Sequence, residues 1–271
     1  MRLYLVDVSG ICWWKWKAGD RTTEDGMLHG LRQWLYVFLN AYEPTHVAAC
    51  FDGKNNWRKD PKRGGSCEYK ANRQPVDPIM KAQLNQVSDV IAEMGIRQLK
   101  HDDYEADDVI ASLCARFQDD EDLEIVIVSS DKDFAQLISE NVKQYDPRPG
   151  KDGNTRFYDV ALATKKHGVP PHRMVEYLAF IGDSTDNVAG IDGWGKVRAA
   201  NAINQTLSSL EIIRKAAKNQ LLKIDPVHQQ TLTAHVADFE MAVRLISLVY
   251  TVPLEVELDD LRIIDPMDVA I

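Results

Sequence analysis

The chain has 271 residues, 45% of them hydrophobic and 27% charged. That is enough for one large α/β domain or a core with a smaller appendage, and it excludes a chain that is disordered throughout. The net charge of −9, taken alone, argues against a nucleic-acid partner, because phosphate binders usually carry a positive field. No apolar run approaches the roughly 18–20 residues that span a bilayer, so a membrane protein is not expected. The opening MRLYLVDVSG carries an acid at position 7 and lacks the long apolar stretch of a signal peptide. Cys12, Cys50, Cys67 and Cys114 form no C-x-x-C pair. A zinc site is therefore not expected, and reduced thiols in a cytoplasmic protein are.

The first half alternates strand and helix. LYLVD at 3–7 reads as a buried strand ending in an acid. Met27, Leu28, Leu31, Leu35, Phe38 and Leu39 recur at helical spacing. HVAACFD at 46–52 is a second strand ending in an acid. The stretch 53–76 follows, broken by Pro61 and Gly64-Gly65. Met80, Leu84, Val87, Val90, Ile91 and Met94 predict one long amphipathic helix stopped by Gly95. Ala106, Val109, Ile110, Leu113 and Phe117 predict another, and EIVIVSSD at 124–131 a third strand with a terminal acid. Such alternation predicts an α/β fold, a mostly parallel sheet flanked by helices. Residues 159–249 read as helices punctuated by Gly168, Pro170-Pro171 and a glycine-rich turn at 190–195. The expected division is a core over 1–158 and a helical subdomain over 159–271.

In a parallel sheet the carboxyl ends of all strands lie along one edge. Asp7, Asp52 and Asp131 therefore converge on one crevice. Glu105, Asp107 and Asp108, in YEADD, add carboxylates at a helix start, Asp133 follows Asp131 by two, and Asp183 and Asp186 sit in GDSTDN. Each acid alone reads equally as a turn or cap residue, or as a complement to a helix dipole. Nine together cannot share an edge unaided, since two unit charges about 4 Å apart repel by about 4 kcal/mol at an effective dielectric near 20. Divalent cations are the natural remedy, and an all-oxygen set selects Mg²⁺ or Mn²⁺ over zinc. More carboxylates than one ion can use suggest two ions, the arrangement that hydrolyses phosphodiesters.

Three further segments bear on a substrate. Residues 53–73 hold seven bases against two acids, reading either as a solvated loop or as a phosphate-holding element next to the metal site. Within it Lys70 and Arg73 share a face if the segment is helical. GIDGWGKVRAA places Gly190, Gly193 and Gly195 ahead of Lys196 and Arg198. It reads as an ordinary turn or as a helix-hairpin-helix that grips duplex backbone with the amides of a helix start. CWWKWK at 12–17 reads either as core packing or as a stacking platform for a base at a duplex end.

YEADDVIASL, SSDKDFAQL, GDSTDN and GIDGWGKVRAA, in this order after VD and FDGK, resemble the structure-specific 5′-nucleases: flap endonucleases, phage 5′-exonucleases and the 5′-nuclease domain of bacterial DNA polymerase I. The resemblance runs from about residue 3 to 257. It implies a PIN-like core, a C-terminal helix–three-turn–helix, and a 5′-3′ exonuclease or flap endonuclease that cuts 5′-flap, nicked or gapped DNA by a two-metal mechanism. Asp7, Asp52, Glu105 and Asp107 match ligands of the first ion, with Asp108 beside them; Asp131, Asp133, Asp183 and Asp186 match the second set. YKANR matches an arch motif, which makes Lys70 and Arg73 contacts of the scissile phosphate and Arg58 a further arch contact. Trp13 falls where an aromatic stacks on the terminal base pair. The hairpin, with Lys196 and Arg198, implies a duplex clamp assisted by K⁺. A monomeric, standalone nuclease is expected.

Two departures stand out. Val8 replaces a glycine usual in the bacterial relatives, and the stretch between Asp52 and Tyr69 does not align cleanly, leaving a closed arch and an open groove both open. Competing classes are a non-catalytic DNA-junction-binding module and a PIN-type ribonuclease. The complete acid set speaks against the first and the helix-hairpin-helix against the second. An aspartyl phosphatase would need a second acid two residues beyond Asp7, which DVSGI lacks.

Overall fold

A computed structural model describes residues 1–19, 21–150 and 156–263. The chain begins with strand β1 (Arg2–Asp7), which runs directly into helix α1 (Val8–Ala18), then helix α2 (Gly26–Tyr42) and strand β2 (His46–Phe51). Helices α3 (Pro78–Leu84) and α4 (Val87–Glu93), strand β3 (Arg97–Lys100), helix α5 (Ala106–Phe117) and strands β4 (Glu124–Val128), β5 (Val142–Asp146) and β6 (Arg156–Tyr158) complete the α/β half. Helices α6 (Val160–His167), α7 (Met174–Ile181), α8 (Lys196–Ile203), α9 (Ser209–Ala216), α10 (Pro226–Ala234) and α11 (Val236–Ile246) form the second half.

The sheet order is β3-β2-β1-β4-β5-β6. Every pair is parallel except β5 with the edge strand β6. From β1 the chain winds outward through β2 and β3, then returns to the other side of β1 as β4. The order therefore reverses at β1, and in open α/β sheets the crevice at such a reversal is where ligands bind.

Residues alternate between the two faces of the central strands, and both faces are covered. Leu3, Leu5, Ala48, Cys50, Ile125 and Ile127 pack with α5 on one side. Tyr4, Val6, Val47, Ala49, Val126 and Val128 pack with α1 to α4 on the other. Burial on both faces explains why these strands read as continuous apolar runs. A separate helical core is built around Phe180, stacked on Trp194 at 4.5 Å and tilted against Phe239 at 4.5 Å.

Several expectations are corrected. The single helix predicted over 80–94 is two, α3 and α4. Gln83 is fully buried and its side-chain oxygen accepts from the Met27 and Leu28 amides at the start of α2, at 2.8 and 3.1 Å. Just past it the backbone tightens to a three-residue hydrogen bond, Gln86 N to Gln83 O at 2.9 Å. The tryptophan run lies on α1, which periodicity did not reveal, and the short strands β3, β5 and β6 were not expected. The second half is not confined to its own subdomain. Leu248, Val252, Leu254, Val256 and Leu261 return to the sheet face beside α5, and Ile263 N donates to Thr45 O at 3.0 Å. Among the described residues no helix is long and apolar enough to cross a membrane.

Candidate active site

The strand ends meet where the order reverses. Asp7 closes β1 and caps α1, accepting from Gly10 N at 2.9 Å and from Ser129 Oγ at 2.8 Å. A Cβ on Gly10 would stand 2.3 Å from Asp7 Oδ2, so a side chain here would push the Asp7 carboxylate out of place. Burial, set against these two hydrogen bonds and reinforced by Asp52 and Asp131, pushes Asp7 up to about 6. Asp52, just past β2, accepts from Ser9 Oγ at 2.6 Å and from Ala106 N at 3.0 Å, joining the start of α1 to the start of α5. Asp131 caps the 3₁₀ turn Lys132–Leu137, accepting from Asp133 N at 3.0 Å. Asp107 lies in the first turn of α5; burial, then Asp7, Asp131 and Glu105, hold its carboxyl well above the usual range.

A second group gathers Asp133, Asp183 and Asp186, each offering an oxygen within 4.8 Å of the others. Gly182, at φ +74°, ends α7. Asp183 then exchanges both backbone hydrogen bonds with Val188 at 2.8 Å, so a tight turn presents Asp183 and Asp186. Burial and Asp131 push Asp133 up to about 7, against the pull of Lys132. Burial is the largest influence and works against the Asp183 charge, but the Lys132 hydrogen bond at 2.6 Å and charge, with the Thr185 and Asp186 amides, together outweigh it and hold Asp183 below its ordinary value.

The residues fit a hard divalent cation. The donors are all carboxylate oxygens, they converge, and Asp133 Oδ1 is buried with no hydrogen-bond partner. Such an orphaned acceptor is costly unless something coordinates it.

The basic segment straps the two halves together. Its 3₁₀ turns Trp57–Lys59 and Pro61–Arg63 fold back so that Ser66 N donates to Arg58 O at 2.7 Å. Asn72 Nδ2 donates to Ser184 O and Asn187 Nδ2 to Glu68 O, each at 2.7 Å. Lys70 and Arg73 are not helical; Lys70 has φ +55°. Both nonetheless reach Asp186, and Lys70 also pairs with Glu105. Tyr69, which the sequence did not single out, sits between Glu105 Oε2 at 2.9 Å and Asp186 Oδ2 at 3.0 Å. Lys132 was missed as well, although SSDKDF flanks it with two candidate ligands.

Two expected site residues are corrected. Asp108 is fully buried and chelates Arg58 through both oxygens, at 2.6 and 2.7 Å, while also accepting from Val249 N at 2.9 Å. Its lone pairs are committed to the interior rather than to an ion. Arg58 is 1% exposed and donates also to the Leu245 and Ser247 carbonyls, so it is no surface contact of an arch.

The glycine turn lies on the same α7–α8 connection as Asp183 and Asp186. Gly190 abuts Gly182, where a Cβ would stand 2.6 Å from the Gly182 nitrogen. Trp194 is buried and its Nε1 donates to His228 O at 2.9 Å. Gly193 has φ +74°, whereas Gly195, the residue before α8, faces open space. Lys196, Val197 and Arg198 follow on the outside, beside Asn201 and Lys223. On α1, Trp16 packs inside and Trp13 is 40% exposed.

Family models match both halves: the 5′-3′ exonuclease N-terminal resolvase-like domain over residues 2–168, and the 5′-3′ exonuclease C-terminal SAM fold over residues 169–268. The chain belongs to the 5′-3′ exonuclease family. It is thus a member of a nuclease family with a mostly parallel sheet and a helical SAM-like second half. A 5′-3′ exonuclease of Aquifex aeolicus is 29% identical over 88% of this chain and 77% of its own length. DNA polymerase I of Caldicellulosiruptor bescii is 30% identical over 97% of this chain, and the chain spans 30% of that larger protein. A structure of T5 5′-exonuclease with divalent metal ions (zinc) superposes with a TM-score of 0.72 at 19% identity, covering 91% of this chain and 89% of the other. Human GEN1 in complex with Holliday junction DNA superposes with a TM-score of 0.62 at 17% identity, covering 98% of this chain and 64% of the other.

Proposed function

We propose that this member of the 5′-3′ exonuclease family is a Mg²⁺-dependent, structure-specific nuclease that hydrolyses DNA phosphodiesters near single-strand/duplex junctions, including 5′-flaps. The observation that carries the reading is the cluster of Asp133, Asp183 and Asp186, with a buried Asp133 oxygen that has no hydrogen-bond partner among the described residues and only the Lys132 ammonium at 3.5 Å. Asp7, Asp52, Glu105, Asp107 and Asp131 complete the set that would hold two ions, with Mn²⁺ as a substitute for Mg²⁺. Ions held there would activate water and offset the charge that develops on the phosphate.

The chain's own residues do the positioning. Lys70 and Arg73, drawn toward Asp186 from the strap, are cations placed to hold a phosphate beside the acids. The turn at 190–195 and the first amides of α8 grip duplex backbone without reading sequence, K⁺ assisting at the hairpin. Because residues 182–195 carry both Asp183/Asp186 and this turn, one short connection fixes how far the cut lies from the gripped duplex. Trp13, exposed on the helix that Asp7 caps, supplies a face on which a terminal base stacks. Lys54, Lys59 and Lys62, exposed on the strap, bring positive charge to where DNA would enter. Four cysteines without disulfides support a reducing, cytoplasmic setting, and we propose that the protein acts as a monomer.

The test is cleavage of a labelled 5′-flap, a nick and a blunt duplex with Mg²⁺. Asp133→Asn and Asp107→Asn are expected to abolish cutting with duplex binding retained; undiminished Mg²⁺-dependent cutting by either rejects the assigned site.

A further inference from the structure

We propose that Lys132 is a built-in counter-cation of the Asp133–Asp183–Asp186 cluster, competing with a divalent ion for Asp183 and yielding its place when a phosphate strand arrives. The inference rests on the metal-dependent reading above. Lys132 Nζ lies 2.6 Å from Asp183 Oδ2 and 3.5 Å from Asp133 Oδ1. These are two of the three carboxylates that converge. Asp183 Oδ1 is already committed, accepting from Thr185 N at 2.9 Å. Oδ2 takes no backbone hydrogen bond and is the more open oxygen for an ion, and Lys132 holds it. An ammonium and a hard divalent cation repel each other and contend for the same lone pairs.

The lysine is placed to leave. Its side chain is 37% exposed, against 9% for Lys70, and it opens a 3₁₀ turn, so rotation of its four-carbon stem carries the charge outward with the backbone unmoved. A phosphodiester at the cluster offers the displaced ammonium a new anionic partner. Ion occupancy and strand binding are thereby linked, each favouring the other by the same factor.

The experiment measures Mn²⁺ binding to the full chain by electron paramagnetic resonance at low salt, with and without a flap duplex carrying a non-hydrolysable linkage at the junction. Lys132→Met keeps the stem and removes the charge. It is expected to bind Mn²⁺ about tenfold more tightly without DNA, the effect of one part-exposed charge next to a divalent ion, and to lose most of the further tightening that DNA brings. Lys132→Arg is expected to stay near wild type. Unchanged or weaker Mn²⁺ binding by Lys132→Met, or full retention of the DNA effect, overturns the proposal. Lys132→Gln, checked by circular dichroism, repeats the comparison should the methionine variant misfold. Asp183→Asn separates the two readings. If it loses an ion while Lys132→Met behaves as wild type, only the role of Lys132 fails. If it binds as many ions as wild type, the metal site itself fails.

Discussion

Arg58 and Asp108 face each other inside the protein through two parallel hydrogen bonds, with side-chain exposures of 1% and 0%. Arg58 comes from the strap and Asp108 from α5. Through Leu245 O, Ser247 O and Val249 N the pair also fixes the chain where it leaves α11 to return to the sheet. Three separate stretches thus meet on one ion pair. Arg58→Met leaves a buried carboxylate without its partner, which costs about 3–5 kcal/mol. For a chain of this size that lowers Tm by roughly 10 °C. Thermal unfolding measures it, and Arg58→Met combined with Asp108→Leu is expected to recover part of the loss. An unchanged Tm with lost DNA binding would return Arg58 to the substrate.

Asp7 is held at about 6 and Asp133 at about 7, burial being the first cause in each case, against an ordinary value of 3.8. Between those limits the folded chain keeps protons that the unfolded chain has shed. Stability therefore falls as pH rises from about 4 to about 7, and Asp107, also held well above the usual range, prolongs the fall. In chelator, Tm is expected to be several degrees lower near pH 8 than near pH 5. Millimolar Mg²⁺ is expected to raise Tm more at the higher pH, where the carboxylates are charged. Asp133→Asn flattens both trends. A Tm indifferent to Mg²⁺ at either pH would count against occupancy of the cluster.

Much of this was legible because strands that end in acids declare both their direction and their chemistry. Leu3–Val6, His46–Phe51 and Glu124–Val128 are buried on both sides, so their apolar runs are unbroken, and Asp7, Asp52 and Asp131 follow them. β3 and β5 escaped notice because RQLK and VKQYD interleave polar residues whose burial depends on tertiary neighbours. Gln144, for example, donates to Ser129 O at 3.0 Å. Asp107 and Asp108 are neighbours with opposite fates. Successive residues on a helix point about 100° apart, so one faces the carboxylates and the other the interior, and only the buried partner Arg58 reveals which. Tyr69 and Lys132 gain significance only from Glu105, Asp183 and Asp186, far away in sequence.

Lys196 stands exposed at the first position of α8, beside Lys223 and Arg198. If it meets a duplex phosphate, Lys196→Ala weakens binding equally for unrelated duplex sequences and reduces the slope of log K against log salt by about 1. Fluorescence anisotropy across a salt series measures both. A sequence-dependent loss, or an unaltered slope, would place the contact elsewhere.

Gly193 and Gly195 separate the fold of the turn from its grip. Gly193 has φ +74°, and a Cβ there would stand 2.5 Å from His228 Cδ2. Gly193→Ala therefore strains the backbone and pushes on the residue whose carbonyl holds Trp194; about 1–3 kcal/mol is lost, and duplex binding falls with it. Gly195 has φ −75°, and a Cβ there would meet nothing within 4 Å. Gly195→Ala is thus expected to melt with the wild type. The added methyl group would nevertheless project where the backbone amides at the start of α8 are otherwise open to a phosphate. Its duplex affinity is expected to fall by roughly tenfold, on the scale of one lost charge-assisted hydrogen bond. Full affinity in Gly195→Ala would mean that the duplex does not approach this turn, whatever happens to Gly193→Ala.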